Sequence, residues 1–420
     1  MALSALIAAL HESDGGDESL IALLPVAGRT LLEHQARAAA RAGATRILML
    51  VERVPAALLA AVDRLRAAGL SVDIARSVAD AADRLHPQEE VLVFADGAVV
   101  DPMMVEVVAR ARTPALLTIA DDPDTQMFER IDGGTRWGGL ALLDGASLRR
   151  TAAMLGNWDL QSTLLRRAVQ QDAERVVAAA VTPSAAPPML ILVTSRGDAE
   201  RASERLQSNG RGGDRDWASK TLYALPIKLL TAALLPTFFD APLIRFIALL
   251  CSVGGATSFA VGWLWPGLIL LLIAGPLASV SRRIVRIRLQ TGLRYERLAL
   301  AGWFVDQLAI VLFAGWLAGH GGGWGCSVLA IVIIAATFAA EVENRLYGRL
   351  TGIAIEDGAP ADRLVATFGA SRDGLFLLLV PFAIFNLWVV GLAAMALYAG
   401  ASFFIRQARF ALALDRWRGA

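Results

Sequence analysis

Cysteine and lysine are both scarce in this chain of 420 residues. The two cysteines, Cys251 and Cys326, lie in apolar segments, so we expect neither a disulfide framework nor a zinc site. Lysine occurs only at Lys220 and Lys228, and arginine supplies the remaining positive side-chain charge. The part of the chain before Lys220 therefore has no lysine with which to contact a polyphosphate.

The N-terminal half also lacks a long apolar run. Its first apolar stretch, residues 2–10, is short, has no basic flank and is followed at once by acidic residues, so we expect no signal peptide. From about Leu222 onward, apolar blocks of bilayer-spanning length recur. The mean hydropathy of +0.51 is too high for a purely soluble protein. We therefore expect a soluble domain followed by a membrane domain.

Strand-like and helix-like segments alternate through the soluble half. Thr30 can cap a helix that Gly43 ends, with Glu33 at the third position of a capping box. Such alternation predicts an α/β domain with a mainly parallel sheet and helices on both faces. Further helices are expected over residues 56–68 and 79–85, and strands over 46–51, 70–75, 90–95, 116–120 and 139–143.

Ligands of parallel sheets bind beyond the carboxyl ends of the strands. Gly28 and Arg29 lie in a turn-like break, and Asp96 follows a predicted strand. These three are the candidate nucleotide-binding residues. Asp96 is either a metal ligand for a nucleotide phosphate or a solvated turn aspartate beside a glycine.

Residues 24–35 (LPVAGRTLLEHQ) and 91–96 resemble the substrate-facing segment and the metal-binding strand of sugar-phosphate and molybdopterin-type nucleotidyltransferases. The resemblance extends to residues 137–141 (WGGLA) and implies such a domain over residues 1–195. That family opens with a glycine-rich phosphate loop and a lysine, where this chain has an acidic segment, residues 11–18, and Ile21. Polyphosphates require backbone donors and a cation. We therefore expect the fold of that family but not its nucleotidyl transfer activity.

Residues 196–240 are predicted to link the two domains. A polar helix over 198–207 and a flexible hinge over 208–216 precede residues 223–239, which are typical of an interfacial amphipathic helix with Lys228 on its polar side. Upstream, the proline-rich segment 183–188 interrupts the alternation, and residues 189–194 are one more strand or a connector.

The region 241–420 is predicted to be an all-α membrane domain. Arginine-rich loops follow the second, fourth and sixth apolar segments, and the other loops have no lysine or arginine. By the positive-inside rule this pattern gives six spans in a cytoplasmic (inner) membrane, with both termini and the soluble domain cytoplasmic. The expected spans are 243–263, 264–280, 298–319, 324–340, 375–386 and 387–404.

A basic run, residues 281–292, joins the second and third apolar segments. Its arginines either bind a phosphate directly or set the topology beside anionic lipid headgroups. Asp306 lies within the third segment, where a carboxylate usually has a partner or a function. The candidate phosphate- or lipid-binding residues are Arg282, Arg283, Arg286 and Arg288.

The membrane half resembles the CDP-alcohol phosphotransferases. The resemblance rests on the linker helices with Pro226-Ile227, the loop 289–292 (LQTG), the six apolar segments and Arg372-Asp373. The whole chain is similar to the bifunctional inositol-phosphate cytidylyltransferase and di-inositol-phosphate phosphate synthase. In that family, an aspartate-rich signature holds two divalent metals that bind the CDP diphosphate, and its last aspartate is the base for the incoming alcohol.

The aspartates of that signature are missing here. When its Ala-Arg pair is aligned on Val285-Arg286, the four aspartates fall on Ala278, Ser281, Ala299 and Trp303. A three-residue insertion places Asp306 at the final aspartate, which makes it the candidate catalytic residue. Hard divalent cations need several oxygen ligands. The residues therefore predict no metal ligands and no cofactor.

We therefore expect a catalytically degenerate relative that acts as a pseudoenzyme partner or as a regulator binding anionic lipid or nucleotide. The resemblance implies a homodimer, or a heterodimer with a catalytic paralogue, and no nucleic acid partner. The alternative is an active, divergent phosphotransferase that uses Mg²⁺ or Mn²⁺ with Asp306, Glu341 and Glu343 and releases CMP from a CDP-alcohol. A transporter is a third class, but no inverted repeat is evident.

Overall fold

A computed structural model describes residues 2–14, 19–154, 159–181, 189–209, 216–235, 237, 239–290, 292–351, 364–365 and 367–418. For residues 209, 347–351 and 410–418 only the backbone is described. The chain forms two compact units: Met1–Ser208 with Ile287–Gln290, and Asn209–Arg286 with Thr291–Ala420. The predicted proline-rich break, most of the predicted hinge and part of the acidic opening segment lie outside the described residues.

The first unit is an α/β domain. Its strands are β1 (Leu3–Ala9), β2 (Pro25–Val26), β3 (Arg29–Thr30), β4 (Arg46–Val51), β5 (Val72–Ala75), β6 (Glu90–Phe94), β7 (Ala98–Val100), β8 (Ala115–Ala120), β9 (Thr135–Asp144), β10 (Glu174–Val177) and β11 (Leu190–Leu192). Its helices are α1 (Leu31–Arg41), α2 (Ala56–Ala67), α3 (Val78–Arg84), α4 (Pro102–Val108), α5 (Gly145–Met154), α6 (Leu160–Gln170), α7 (Ala178–Val181) and α8 (Arg196–Asn209).

The main sheet has seven strands in the order β10-β8-β9-β6-β1-β4-β5 and is mostly parallel, as predicted. The exception is β9, which runs antiparallel to both β6 and β8. A parallel neighbour needs a crossover connection, usually a helix. The connection from β8 to β9 contains only the short 3₁₀ turn Pro123–Thr125, so the chain returns in the opposite direction. The short strand β11 pairs with β7 in a separate two-stranded sheet.

The predicted capping box at the start of α1 is confirmed. Thr30 Oγ1 accepts from Glu33 N at 3.3 Å, and Glu33 Oε2 accepts from Thr30 N at 3.1 Å. The same carboxylate, fully buried, receives two hydrogen bonds from Arg64 of α2, at 3.0 and 2.8 Å. Burial alone would raise the pKa of Glu33, but hydrogen bonds from Arg64 and Thr30 hold it below its usual value. One acidic side chain thus caps α1 and fastens it to α2.

The second unit is helical. Its helices are α9 (Trp217–Lys220), α10 (Ala224–Leu234), α11 (Ala241–Val261), α12 (Leu264–Ile287), α13 (Leu293–Leu317), α14 (Gly325–Thr351), α15 (Arg372–Ile384) and α16 (Trp388–Arg418). Five of them, α11 to α14 and α16, are long and apolar enough to cross a membrane. The fifth predicted span corresponds to α15, which has 13 residues, fewer than the about 20 that a span needs. The described residues therefore support five spans.

Close helix approach in the second unit depends on small residues and aromatic contacts. A Cβ added at Gly255 of α11 would lie 3.0 Å from the carbonyl oxygen of Gly267 of α12. The rings of Phe259 and Phe313 pack at a centroid distance of 4.9 Å between α11 and α13. Small residues allow this approach where lipid gives no hydrophobic driving force.

Helix α10 exposes its apolar side. Leu225 and Leu229 are 65% and 60% exposed, whereas Ile227 is fully buried. Lys228 lies on the exposed side as well. An exposed apolar side with a cationic residue suits a membrane interface, and the interfacial position of this helix stays a prediction.

Gly97 should tolerate substitution less well than Gly43. Both have positive φ, +85° and +105°, but a Cβ at Gly97 would lie 2.3 Å from the carbonyl oxygen of Val193, and one at Gly43 meets open space. We expect Gly97→Ala to destabilise the first unit by about 2–4 kcal/mol and Gly43→Ala by about 1 kcal/mol. Hydrogen–deuterium exchange of β1 and β6 in the full-length protein measures both losses of stability. Equal losses would contradict the backbone contact.

Candidate functional site

Asp96 lies at the carboxyl end of β6 and holds the chain that follows β1. Its Oδ2 accepts from the backbone N–H groups of Leu10 and His11 at 2.9 and 2.8 Å. Its side chain is 3% exposed, and Oδ1 is buried with no hydrogen-bond partner among the described residues. Asp96 is therefore not the solvated turn aspartate that the sequence allowed. One of its oxygens already fixes the chain segment that follows β1.

The segment that contains the other two nucleotide-binding candidates is tied to neighbouring elements. Gly28 and Arg29 lie in the β2–β3 hairpin, where Gly28 has φ +75°. In the same hairpin, Ala27 N donates to Ser203 Oγ of α8 at 2.9 Å. Gln35 of α1 donates to the carbonyl oxygens on either side of Asp96-Gly97, those of Ala95 at 3.0 Å and Ala98 at 2.8 Å. This role of Gln35 was not predicted, because a buried amide has no distinctive spacing in the sequence.

His11 is the titratable neighbour of Asp96. Its Nδ1 lies 3.2 Å from Asp96 Oδ2, and its side chain is 57% exposed. The hydrogen bond to Asp96 raises the pKa of His11, burial opposes the rise, and the charges of Asp159 and Glu52 add to it. Protonation of His11 therefore strengthens the contact that holds the opening segment.

The helical unit encloses a polar cavity of about 210 Å³. It lies among α11 to α16, and Asp216, just before α9, is also a lining residue. The lining contains as many acidic as basic residues, but not all of them form ion pairs with one another. The lining residues with charge are Asp216, Asp306, Glu341 and Asp373, and Arg245, Arg282, Arg372 and Arg406.

Arg372 joins four helices at this cavity. Its Nε lies 2.6 Å from Asp306 Oδ2 of α13 as an ion pair, and its Nη1 donates to Asp373 Oδ1 at 3.0 Å. Its Nη2 donates to Ser252 Oγ of α11 and to the carbonyl oxygen of Leu271 of α12, each at 3.2 Å. Removing one partner of a buried ion pair costs about 3–5 kcal/mol. This guanidinium is therefore central to the stability of the unit.

The surroundings of Arg372 are shaped to hold it. Its guanidinium carbon lies 5.8 Å from the ring centroid of Phe376, one turn further along α15. Gly275 of α12 leaves room for Asp373, because a Cβ there would lie 2.4 Å from Asp373 Oδ1. Ser371 caps α15 through Gly374 N at 3.0 Å and also donates to Asp216 Oδ2 at 2.7 Å.

Two other arginines of the cavity have no carboxylate within ion-pair distance in the described part of the chain. Arg245 donates to the carbonyl oxygen of Ala299 at 3.3 Å, and its Nε has no hydrogen-bond partner there. Arg282 donates to Ser279 Oγ at 2.7 Å. Two cations lining one cavity without anionic partners favour an anionic ligand.

Asp306, the predicted catalytic residue, lies in the cavity wall and is buried. Its Oδ1 has no hydrogen-bond partner among the described residues. Ala278 and Trp303, where the resemblance places carboxylates, also line the cavity. Ser281 is buried and donates to the Ala278 carbonyl oxygen at 2.8 Å. Asp306, Ala278 and Trp303 thus line one cavity, and of these three only Asp306 carries a carboxylate.

The four candidate arginines of the basic run do not share one environment. Arg282 lines the cavity, Arg283 and Arg288 are buried, and Arg286 is exposed. Arg245 was not among the predicted site residues, although an arginine inside an apolar segment is itself a signal of function or pairing. Arg372 belongs to the predicted family resemblance, which does not predict its contacts.

The acidic residues at the end of α14 are engaged with their neighbours. Glu341 lines the cavity and pairs with Arg345 at 2.9 Å. Glu343 accepts from Gln407 at 2.8 Å and lies 3.9 Å from Arg406 of α16. Across the described ranges, no cluster of three or more His, Cys, Asp or Glu side chains could hold a metal ion.

The His11–Asp96 contact should make the stability of the first unit depend on pH. Because the folded pKa of His11 is raised above 6.5, the contribution is fully present below that pH and is lost as the pH rises through the folded value. We expect His11→Asn to lower the unfolding free energy by less than about 1 kcal/mol at low pH, since the side chain is largely exposed, and by nothing at high pH. Hydrogen exchange of β1 measures the effect. A pH-dependent difference that persists in an Asp96→Asn background would refute this pairing.

The chain matches no model of a known protein family and no curated protein. The function is therefore inferred from the geometry of the two units and from the resemblances noted in the sequence.

Proposed function

We propose that the protein is a membrane-embedded, CDP-alcohol phosphotransferase-like protein that has lost catalysis and acts as a pseudoenzyme partner or regulator. Its helical cavity binds an anionic phosphate group, either of a CDP-alcohol or of a lipid headgroup. The observation that carries the proposal is the pairing inside the cavity. Arg372 contacts Asp306 and Asp373, whereas Arg245 and Arg282 line the same space without carboxylate partners in the described part of the chain.

The chemistry of the lining supports binding without transfer. A phosphotransfer site of the two-metal type needs bridging carboxylates around its cations. Here two of the lining carboxylates, those of Asp306 and Asp373, already contact a guanidinium. Guanidinium groups bind phosphate directly through paired N–H donors. The polar lining therefore suits recognition of a phosphate more than its activation.

One observation favours the alternative of an active, divergent phosphotransferase. Asp306 Oδ1 is buried, has no partner among the described residues and belongs to the cavity wall. A carboxylate oxygen in that position is available to accept a proton from an alcohol. Asp306 is the catalytic residue of this second candidate, with Glu341 and Glu343 as further acidic groups and Mg²⁺ or Mn²⁺ as cofactor.

The proposal includes six spans, with α15 as the fifth, in a cytoplasmic membrane, and both termini and the α/β unit in the cytoplasm. It is supported by the arginine-rich loops on one side and by the apolar character of α15. Lipid and a second protomer, either a copy of this chain or a catalytic paralogue, would cover the exposed apolar faces of the spans. Nucleic acid is not a proposed partner.

Assay of CMP release distinguishes the two functions. Purified full-length protein with lipid-type and polyol-type CDP-alcohols and Mn²⁺ should release no more CMP than the Asp306→Asn variant. CDP, or vesicles with anionic lipid, should still bind, and Arg245→Gln or Arg282→Gln should weaken binding about tenfold, because a charged hydrogen bond contributes about 1.5–3 kcal/mol. Arg84→Gln, an exposed arginine of the first unit, is the control. Metal-dependent CMP release abolished by Asp306→Asn would establish the active alternative.

Reporter fusions test the topology. A cytoplasm-active reporter fused after Ala420 and one placed before Met1 should both be active in cells, and a periplasm-active reporter should be inactive at either end, because six spans return the chain to its starting side. Insertion after Gly323, between α13 and α14, should give the opposite result. Opposite locations of the two termini would show that α15 does not cross and that the chain has five spans.

A further inference from the structure

The two carboxylates of the helical cavity are held together by a side chain of the protein. Asp306 Oδ2 and Asp373 Oδ1 lie 2.6 and 3.0 Å from nitrogens of the same guanidinium, that of Arg372. The two acidic residues come from different helices, α13 and α15. A cation between carboxylates of two helices is the arrangement that a divalent metal ion would otherwise provide.

The residues present do not fit such a metal. Mg²⁺ and Mn²⁺ require close oxygen ligands in near-octahedral geometry, and Arg372 occupies the space in which Asp306 and Asp373 would have to converge on an ion. The arginine cannot lose its charge at accessible pH. A divalent ion beside it would therefore be repelled by the guanidinium charge.

Arg372 is also fixed in place. Its third nitrogen donates to Ser252 and to the backbone of α12, and its charged plane lies near the ring of Phe376. Moving the guanidinium aside for an incoming ion would break these contacts and leave the guanidinium charge buried without its partners. Burial of unpaired charge is strongly unfavourable.

We infer that Arg372 is a built-in cation that replaces the divalent metal between Asp306 and Asp373, so that the cavity binds its phosphate ligand without metal. The identity of the phosphate ligand in this inference rests on the proposed function. The assignment of Arg372 as the cation does not. It predicts that chelators leave ligand binding intact, and that removing the guanidinium exposes a divalent-cation site that the native chain lacks.

Electron paramagnetic resonance of Mn²⁺ tests the assignment on the full-length protein without ligand. The native chain and Asp306→Asn should bind the same number of ions. Arg372→Gln should bind one ion more, and Asp306→Asn in the Arg372→Gln background should remove it. Arg84→Gln, which breaks an exposed arginine–carboxylate pair, should change nothing.

Two results would overturn the inference: a Mn²⁺ ion in the native chain that Asp306→Asn removes, or a folded Arg372→Gln variant that gains no ion. If Arg372→Gln does not fold, the number of Mn²⁺ ions bound by the native chain and by Asp306→Asn decides whether a metal ion lies at Asp306. CDP binding is measured separately with EDTA and with Mn²⁺, and its dissociation constant should differ by less than about twofold. Absence of CDP binding under both conditions would refute the proposed function, while the Mn²⁺ comparison would still decide the role of Arg372.

Discussion

The ion pairing of Arg372 is the interaction on which the helical unit depends. Charged groups inside apolar spans are costly unless they pair with one another. One guanidinium satisfies acidic groups of two helices and a carbonyl and hydroxyl group of two more. Its loss would leave Asp306 and Asp373 buried without a cation. The same contacts that stabilise the unit also give one oxygen of Asp306 and one of Asp373 a cationic partner.

An acidic side chain also holds neighbouring chain segments in the first unit. Asp96 stands where the nucleotidyltransferase resemblance expects a metal ligand, and its Oδ2 is taken by two backbone N–H groups and by His11. Gln35 fixes the loop around it from α1. The Asp96 carboxylate lies just beyond the carboxyl end of β6, and one of its two oxygens holds the chain that follows β1.

Local patterns predicted much of the fold and less of the site. The capping box of Thr30 and Glu33 and the strand Arg46–Val51 were predictable, because each depends on neighbours in sequence. The antiparallel direction of β9 depends on a connection without a helix, and the pairing of Arg372 with Asp306 joins two helices far apart in the chain. Neither leaves a periodic signal. The predicted fifth span, residues 375–386, overlaps α15 (Arg372–Ile384), and neither has the about 20 residues that a span needs.

Replacing a metal ion by an arginine would change what controls the cavity. A bound ion exchanges with solvent, so its concentration sets the fraction of sites that are competent. A guanidinium attached to the chain is always present and keeps its charge. It also has a single charge and a planar set of donors, so it neutralises carboxylates without polarising a phosphate as a divalent ion does. A cavity built this way would be permanently ready to bind and poorly suited to react, which is the combination that a regulatory relative of an enzyme requires.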